Sequence, residues 1–377
     1  MKPTLTLPLC LVALAGPALA QEFVPETVGV MAHIPEGPNL FVLDQAWAGP
    51  SKVNVLGADD FAVKGNMGTR TVAQMLLAPG GATLYTASVY MERYTYGKST
   101  VVVQEFDVPT LSVKREFEVN PKFAQVESQP ALMSFAGDGA YILLQNATPA
   151  TSVSVIDIAA GKEVAEVPTP GCWGAFPAMG KLAFTTVCGD GTLTTYTFAA
   201  DGSYGDPVKS DKIFDVDDDA VFTNAARMGE QLVFVTFKGN LLFVDIAGEK
   251  PVLSETVSLV DGVLGSWAPS GSELIAYNAP TNTAFILMHS GAYEGSHKNP
   301  AEEIWAVNME TKTVVGRSAA HHENGLVVTQ TETPVLYGAN EEGAVIRYEV
   351  TMGEEVTLAE AGEAEPGSWL PIMAADR

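Results

Sequence analysis

A strand–turn–strand unit recurs seven times along this chain, and no other feature constrains its fold as strongly. In each copy, an alternating strand ends near an acidic, amide or hydroxyl residue, a short polar turn follows, and a second strand begins. Recurrence at a regular step is the signature of a repeat architecture. The copies cover residues 39–55, 101–119, 153–167, 193–208, 241–257, 304–318 and 345–361.

The spacing of the copies predicts the number of strands in each repeat. Four strands with their turns need about 50 residues, which is the length of one blade of a β-propeller. We therefore predict an all-β, seven-bladed β-propeller in which residues 368–375 return to complete the first blade. An array of β-sandwiches is the alternative, but no linker separates the copies. The equivalent points, 40 to 63 residues apart, are Asp44, Asp107, Asp157, Thr197, Asp245, Asn308 and Glu349.

The first twenty residues are typical of a secretory leader. Lys2 precedes an apolar stretch, and Ala18-Leu19-Ala20 provides the small residues of a cleavage site. We predict a signal peptide at residues 1–20, a single propeller domain at residues 21–377 and, in a Gram-negative source, a periplasmic location. No later stretch of the sequence is long and apolar enough to predict a membrane span.

The charge of the chain argues against nucleic acid as a partner. Lysine and arginine number 21 against 45 aspartates and glutamates, which gives a formal net charge of −24. Phosphate binding requires clustered basic residues. Because the acidic residues are spread along the chain, they indicate a solubilising surface or a docking surface for a basic partner.

Two cysteines, Cys172 and Cys188, remain after the predicted leader, which contains Cys10. In an oxidising compartment a disulfide is the default expectation for such a pair. A zinc site is the alternative, but it needs two further ligands, and no histidine occurs near these cysteines in the sequence.

No catalytic or metal-binding motif is complete in this sequence. The acidic run 215–219 begins like a calcium loop, but Ala220 stands where the turn glycine belongs, so we expect a solvated loop. For His321-His322-Glu323 we expect a surface turn, and for His289 and His297 structural hydrogen bonding. We therefore expect no catalytic residue and no metal ligand in this chain.

Trp47 is the one tryptophan that we expect to be presented to solvent. It follows the end of a strand at Asp44 and lies in a turn with Ala46, Ala48 and Gly49. The other four tryptophans are expected in the core or between blades.

Several segments resemble the heavy subunit of aromatic (aralkyl) amine dehydrogenase and, more distantly, that of methylamine dehydrogenase. The resemblance covers essentially all of the chain after the leader. It includes the segment with His297-Lys298 and Glu303-Ile304-Trp305. The matching stretches are YMERYTYGK (90–98), LLQNATPATSVSVIDIAAGKEV (143–164), GCWGAFP (171–177), VCGDGTL (187–193) and LMHSGAYEGSHKNPAEEIWAVN (287–308).

The resemblance implies a seven-bladed propeller with an intrachain disulfide, onto which Cys172 and Cys188 carry over. It also implies an α2β2 heterotetramer. In such an assembly a cysteine-rich light subunit carries tryptophan tryptophylquinone, oxidises a primary amine and passes electrons to a blue-copper protein. A heavy-chain aromatic that lines the substrate channel corresponds to Trp47, where the family pattern has phenylalanine.

The sequence thus favours a cofactor-free scaffold that docks the quinone subunit and helps to form the amine channel. The alternative is a stand-alone periplasmic propeller that binds a ligand or a protein without redox chemistry. A hydrolytic propeller ranks third because no nucleophile with a neighbouring base is visible.

Overall fold

The computed structural model describes residues 29–94 and 96–377, and they form seven antiparallel sheets. The predicted all-β, seven-bladed propeller is confirmed. The first four blades consist of β1 (Asn39–Asp44), β2 (Lys52–Gly57), β3 (Val63–Gly68) and β29 (Met373–Ala375); β4 (Thr71–Leu77), β5 (Thr83–Met91), β6 (Ser99–Asp107) and β7 (Ser112–Val119); β8 (Met133–Ala136), β9 (Tyr141–Asn146), β10 (Ser152–Asp157) and β11 (Lys162–Pro168); and β12 (Cys172–Pro177), β13 (Ala183–Cys188), β14 (Leu193–Thr197) and β15 (Val208–Lys209).

The remaining three blades follow the same order from first to last strand, and two short 3₁₀ helices lie between strands at Pro130–Leu132 and Ser296–Lys298. The strands of blades 5 to 7 are β16 (Val221–Met228), β17 (Gln231–Thr236), β18 (Asn240–Asp245) and β19 (Val252–Ser258); β20 (Ala268–Pro269), β21 (Ile275–Asn278), β22 (Thr283–His289), β23 (Glu303–Asn308) and β24 (Thr313–Ala319); and β25 (Glu323–Val328), β26 (Val335–Asn340), β27 (Val345–Thr351) and β28 (Thr357–Ala364).

The ring closes through the C-terminal strand. Strand β29 pairs antiparallel with β1, so the end of the chain supplies the innermost strand of the first blade. The innermost strands of neighbouring blades also contact one another, as β25 does with both β21 and β29. The predicted return of residues 368–375 to the first blade is therefore confirmed.

Because β29 is the first strand of blade 1, the predicted position of the first repeat is wrong. In six copies the repeating unit is the hairpin of the third and fourth strands, but residues 39–55 form the second and third strands of blade 1. The equivalent hairpin is β2–β3, so Gly57 replaces Asp44 as the equivalent point. Gly57 lies about 50 residues before Asp107, the spacing of a four-stranded blade. The error arose because the first strand of this blade comes from the other end of the sequence.

Burial decreases from the middle of each blade to its outer edge. All seven residues of β22 are buried, whereas β28 alternates between exposed and partly exposed positions. Middle strands pack against neighbouring blades on both faces and are therefore almost continuously apolar, whereas a strand with one wet face alternates.

Blade 6 has a divided inner strand, because β20 and β21 both pair with β22. The backbone leaves the sheet between them at Gly271, which has φ of 106°. A Cβ at this position would stand 2.7 Å from the carbonyl oxygen of Asn324, so only glycine fits. Blade 6 consequently has five strands instead of the four expected.

One face of the ring carries the features described below, and we call it the loop face. It bears the loops that join second to third strands and those that join each blade to the next, because strand direction alternates within every sheet.

The predicted leader at residues 1–20 and the start of the predicted domain lie outside the described residues. Among the residues that the structure does describe, no helix is long and apolar enough to cross a membrane.

Candidate functional site

Trp47 lies in the turn between β1 and β2 on the loop face, and its side chain is 53% exposed. The sequence-based expectation that this ring is presented to solvent agrees with its position. The base of the turn is held firmly. The backbone N–H of Gln45 donates to the carbonyl of Trp369 at 2.9 Å, and that of Val72 donates to the carbonyl of Ala46 at 3.0 Å.

Two exposed tyrosines share this corner of the loop face. Tyr94 and Tyr96 lie in the loop between β5 and β6 and are 55% and 60% exposed. The Tyr94 hydroxyl lies 3.7 Å from where a Cβ on Gly49, in the same turn as Trp47, would stand.

Each of these tyrosines has an arginine over its ring. The guanidinium carbon of Arg70 lies 4.6 Å from the ring centre of Tyr94, and that of Arg93 lies 5.4 Å from the ring centre of Tyr96. Such contacts favour cation–π attraction. We call Trp47, Tyr94, Tyr96, Arg70 and Arg93 together the Trp47 patch.

A second aromatic region lies on the loop face across blades 5 and 6. It is a cavity of about 760 Å³, a volume in the range of small-molecule sites. Four loops form it, between β15 and β16, β17 and β18, β19 and β20, and β22 and β23. We call it the aromatic groove; its lining residues are Val216, Asp217, Asp218, Ala220, Phe237, Lys238, Ser266, Trp267, Ala268, Ala292, Tyr293, Glu294, Gly295, Ser296 and His297.

Buried packing fixes one wall of the aromatic groove. The guanidinium of Arg317 lies 4.5 Å from the ring centre of Trp267 and 4.6 Å from that of Trp305. Trp305 is fully buried, and its indole N–H and the Arg317 Nε both donate to Glu303 Oε2 at 2.7 Å. Trp267 is therefore positioned by a stacked and hydrogen-bonded support.

His297 forms the opposite side of the groove. Its imidazole stacks on Phe237 with ring centres 4.2 Å apart. Burial lowers the pKa of His297 below its usual range, and the charge of Lys298 lowers it further. The imidazole is therefore neutral at pH 7 and adds no positive charge to the groove.

The acidic run 215–219, which we expected to be a solvated loop, contributes residues to the groove. Asp217 and Asp218 are exposed on its rim, and Lys238 forms an ion pair with Asp218 at 2.6 Å. Glu294 contributes another carboxylate. The sequence did not reveal this assembly, because its residues come from separate loops that only the ring brings together.

Cys172 and Cys188 are joined by a disulfide with an S–S distance of 2.01 Å. They face each other on neighbouring strands β12 and β13, near the loop face. The sequence expectation of a disulfide rather than a zinc site agrees with this arrangement.

The expectation for His321-His322-Glu323 needs a partial correction. Both histidines are exposed, but Glu323 is fully buried at the start of β25. The Tyr348 hydroxyl and the His321 backbone N–H both donate to its carboxylate. A Cβ at Gly338 would collide with Glu323, so a glycine on the next strand makes room for it.

His289 has a structural position, as expected. It is almost fully buried, and its Nδ1 lies 2.9 Å from the carbonyl oxygen of Ser290. Across residues 29–94 and 96–377, no three His, Cys, Asp or Glu side chains converge in a way that could hold a metal ion.

A buried carboxylate also lies near the axis of the ring. Burial raises the pKa of Glu273 well above its usual range, and the charge of Glu127 raises it further. The Asn224 amide donates to Glu273 Oε2 at 2.6 Å. Burial among the inner strands thus disfavours the charged form of Glu273.

Comparison with known protein families assigns the chain to one of them. The model of the methylamine dehydrogenase heavy chain family matches residues 38–367, which include strands β1 to β28. The chain belongs to this family. Like other members it is a subunit of an amine-oxidising enzyme, and the family's quinone cofactor lies on the light chain.

The relatives agree with this assignment, and a solved structure agrees with the fold. The methylamine dehydrogenase heavy chain of Methylobacillus flagellatus is 24% identical over 81% of this chain and 75% of its own length, and that of Paracoccus versutus is 25% identical over 88% and 78%. Among structures, a candidate 6-phosphogluconolactonase from Bacteroides fragilis is similar with a TM-score of 0.59, at 10% identity over 90% of this chain and 97% of that one. At this identity the likeness is one of fold alone.

Proposed function

We propose that this chain is the heavy, cofactor-free subunit of a periplasmic amine dehydrogenase, and that its Trp47 patch borders the route by which the amine reaches the light chain. Family membership supports the role of the subunit. The periplasmic location rests on the leader predicted at residues 1–20.

The observation that carries the proposal is the Trp47 patch itself. A half-exposed indole stands on a turn that is hydrogen-bonded at its base, beside two exposed tyrosines that are each covered by an arginine. Tryptophan, tyrosine and arginine are the residues that most often dominate binding energy at protein interfaces. Such a cluster on an open loop face suits a contact with a partner and with its substrate.

The proposed assembly is an α2β2 heterotetramer with a division of labour between its chains. Tryptophan tryptophylquinone on the cysteine-rich light chain supplies the two-electron oxidation of the amine, and a blue-copper protein then receives the electrons. This chain docks the light subunit, shapes the channel and excludes water from it. The formal net charge of −24 favours the approach of cationic ammonium substrates to the protein as a whole.

We further propose that the substrate is a primary aralkylamine in preference to methylamine. The relatives described above are methylamine dehydrogenase heavy chains, but Trp47 replaces the phenylalanine expected from the family pattern. The exposed indole offers a larger stacking surface than a phenyl ring does, and an arylalkyl chain gains more from such a surface than a methyl group does.

The test is purification of the native protein from the periplasm of its source. We expect a cysteine-rich small chain to co-purify, identified by mass spectrometry, together with the visible absorption of a quinone. The complex should oxidise phenylethylamine faster than methylamine.

The matched control is this chain expressed alone, which should oxidise neither amine with an artificial electron acceptor. Turnover by the isolated chain would contradict the division of labour. Purification of the native protein without any small chain would favour the stand-alone propeller instead.

A further inference from the structure

The aromatic groove displays apolar surface that the propeller does not cover. Tyr293 lines the groove and is 65% exposed, and Leu264, whose carbonyl accepts a hydrogen bond from the Trp267 indole N–H, is 92% exposed. Trp267 and Phe237 form its walls. Exposed aromatic and aliphatic groups clustered around a concave surface indicate a binding site rather than ordinary surface composition.

The carboxylates that line the groove outnumber its basic side chains. Lys238, the basic lining residue, forms its ion pair with Asp218. Among the described residues, the carboxylates of Asp217 and Glu294 form no ion pair. The groove therefore combines aromatic walls with uncompensated negative charge.

This combination suits the side chain of a lysine or arginine. The aliphatic stem of such a residue packs along an aromatic wall while its charged end reaches the carboxylates at the rim. The wall is preformed, because Arg317 and buried Trp305 support Trp267 and Phe237 supports His297. Little ordering entropy is therefore lost when the groove is filled.

The aromatic surface of the Trp47 patch alone is too small to hold a partner. Its three aromatic side chains are each a little more than half exposed, and an aromatic side chain offers about 200 Å², so together they present about 350 Å². A stable interface buries about 800 Å² on each partner. A partner that covers the Trp47 patch therefore needs further contacts. The aromatic groove offers a second aromatic surface on the same face.

We propose that the aromatic groove is a second docking surface for the light chain, and that it receives a light-chain segment in which a lysine or arginine neighbours an apolar residue. This inference rests on the proposed function, because it identifies the light chain as the occupant. It adds an electrostatic anchor to the contact made by the Trp47 patch.

The test measures the dissociation constant between this chain and its light chain. The double variant Asp217→Lys, Glu294→Lys should weaken binding about 10- to 100-fold, because it places positive charge opposite a cationic side chain. In the variant Asp217→Asn, Glu294→Gln, binding should depend less on salt concentration than in the wild-type protein. Tyr293→Ser should weaken binding at every salt concentration.

Matched controls lie on the opposite face. Glu310 and Met179 are exposed there, in the β23–β24 and β12–β13 turns. Glu310→Lys and Met179→Ser should leave the dissociation constant unchanged. All groove substitutions are at exposed positions, so their melting temperatures should equal that of the wild-type protein.

The outcomes separate the two proposals. If the wild-type chain binds the light chain and the groove variants bind it equally well, the docking inference is wrong and the proposed function stands. If no light chain binds the wild-type chain, the proposed function fails. Weakened binding in the groove variants with unchanged control variants supports both.

Discussion

The Trp47 patch and the aromatic groove are built from the same kinds of rings on the same face of the propeller, but their charges are opposite. Arginines cover the tyrosines of the patch, whereas carboxylates line the rim of the groove. A partner that contacts both regions must present negative charge to the patch and positive charge to the groove. This difference in charge therefore determines the orientation of the partner, in addition to the contact area that the rings supply.

The two regions also differ in what supports their rings. Trp47 projects from a turn that is anchored by hydrogen bonds of its backbone and of the Gln45 and Ser51 side chains, whereas Trp267 rests on Arg317 and on a tryptophan in the core of blade 6. Substitution of Trp47 should consequently change binding alone, whereas substitution of the side chains that support Trp267 should change folding as well.

The largest expected effect is the difference between truncating two tryptophans. Trp305→Ala should lower the free energy of unfolding by about 3–5 kcal/mol, because it leaves a cavity in the core and removes the support of Trp267. Trp47→Ala should change it by less than about 0.5 kcal/mol, as is usual at the surface. Urea denaturation of both variants measures the difference. Equal destabilisation would mean that Trp47 belongs to the core of blade 1.

The next effect concerns selectivity at the patch. Selectivity is the ratio of kcat/KM for phenylethylamine to kcat/KM for methylamine. If Trp47 borders the amine channel, Trp47→Ala should change this ratio by a factor that corresponds to about 1–3 kcal/mol, the range of apolar pocket contacts. Trp47→Phe, which introduces the residue expected from the resemblance, should shift the ratio toward methylamine.

The control for this prediction is Tyr204→Ala. Tyr204 is 50% exposed in the connection from β14 to β15, on the face opposite Trp47. Its removal should leave the selectivity ratio unchanged. An unchanged ratio in both Trp47 variants would remove Trp47 from the channel.

The fold and the cysteine pair could be predicted from the sequence because their signals are local. The third and fourth strands of each blade are adjacent in the sequence. Their alternating residues and the turn between them therefore predict the hairpin directly. Trp47 could also be assigned to an exposed turn from the small residues around it. The register of blade 1 could not be read, since the strand that pairs with Asn39–Asp44 comes from the other end of the chain.

The aromatic groove and the burial of Glu323 depend on contacts between distant segments. Asp217 and His297 are eighty residues apart, and neither side chain carries a motif. Glu323 looks like part of a polar turn until Tyr348 and the space above Gly338 are known. Residues that meet only through the closure of the ring leave no periodic signal in the sequence.

A smaller effect should distinguish the arginines of the patch from the acids of the groove. Arg70→Gln should weaken light-chain binding by about 0.2–1 kcal/mol, the range for an exposed ion pair with a partner. In the groove, by contrast, neutralising Asp217 should chiefly reduce the dependence on salt. Titration calorimetry at two salt concentrations measures both. Identical salt responses would mean that the two regions do not differ electrostatically toward the partner.

The smallest effect is the response of the groove to pH, and it follows from His297. Because burial and Lys298 lower the pKa of His297 in the folded protein, the unfolded chain binds its proton more readily. The associated stability is present above the ordinary histidine pKa of about 6.5 and is lost as the pH falls through the lower pKa of the folded state. The Trp47 patch contains no histidine, so its behaviour should not change in this range.

The comparison uses melting temperatures of the wild-type chain and of His297→Gln between pH 7.5 and pH 5. The wild-type chain should lose slightly more stability on acidification than the variant, since glutamine cannot take up the proton. His33→Gln is the control, because it removes a histidine outside the groove. Parallel curves for the wild-type chain and His297→Gln would mean that His297 titrates normally, and the neutral imidazole would no longer explain why the groove favours a cation at pH 7.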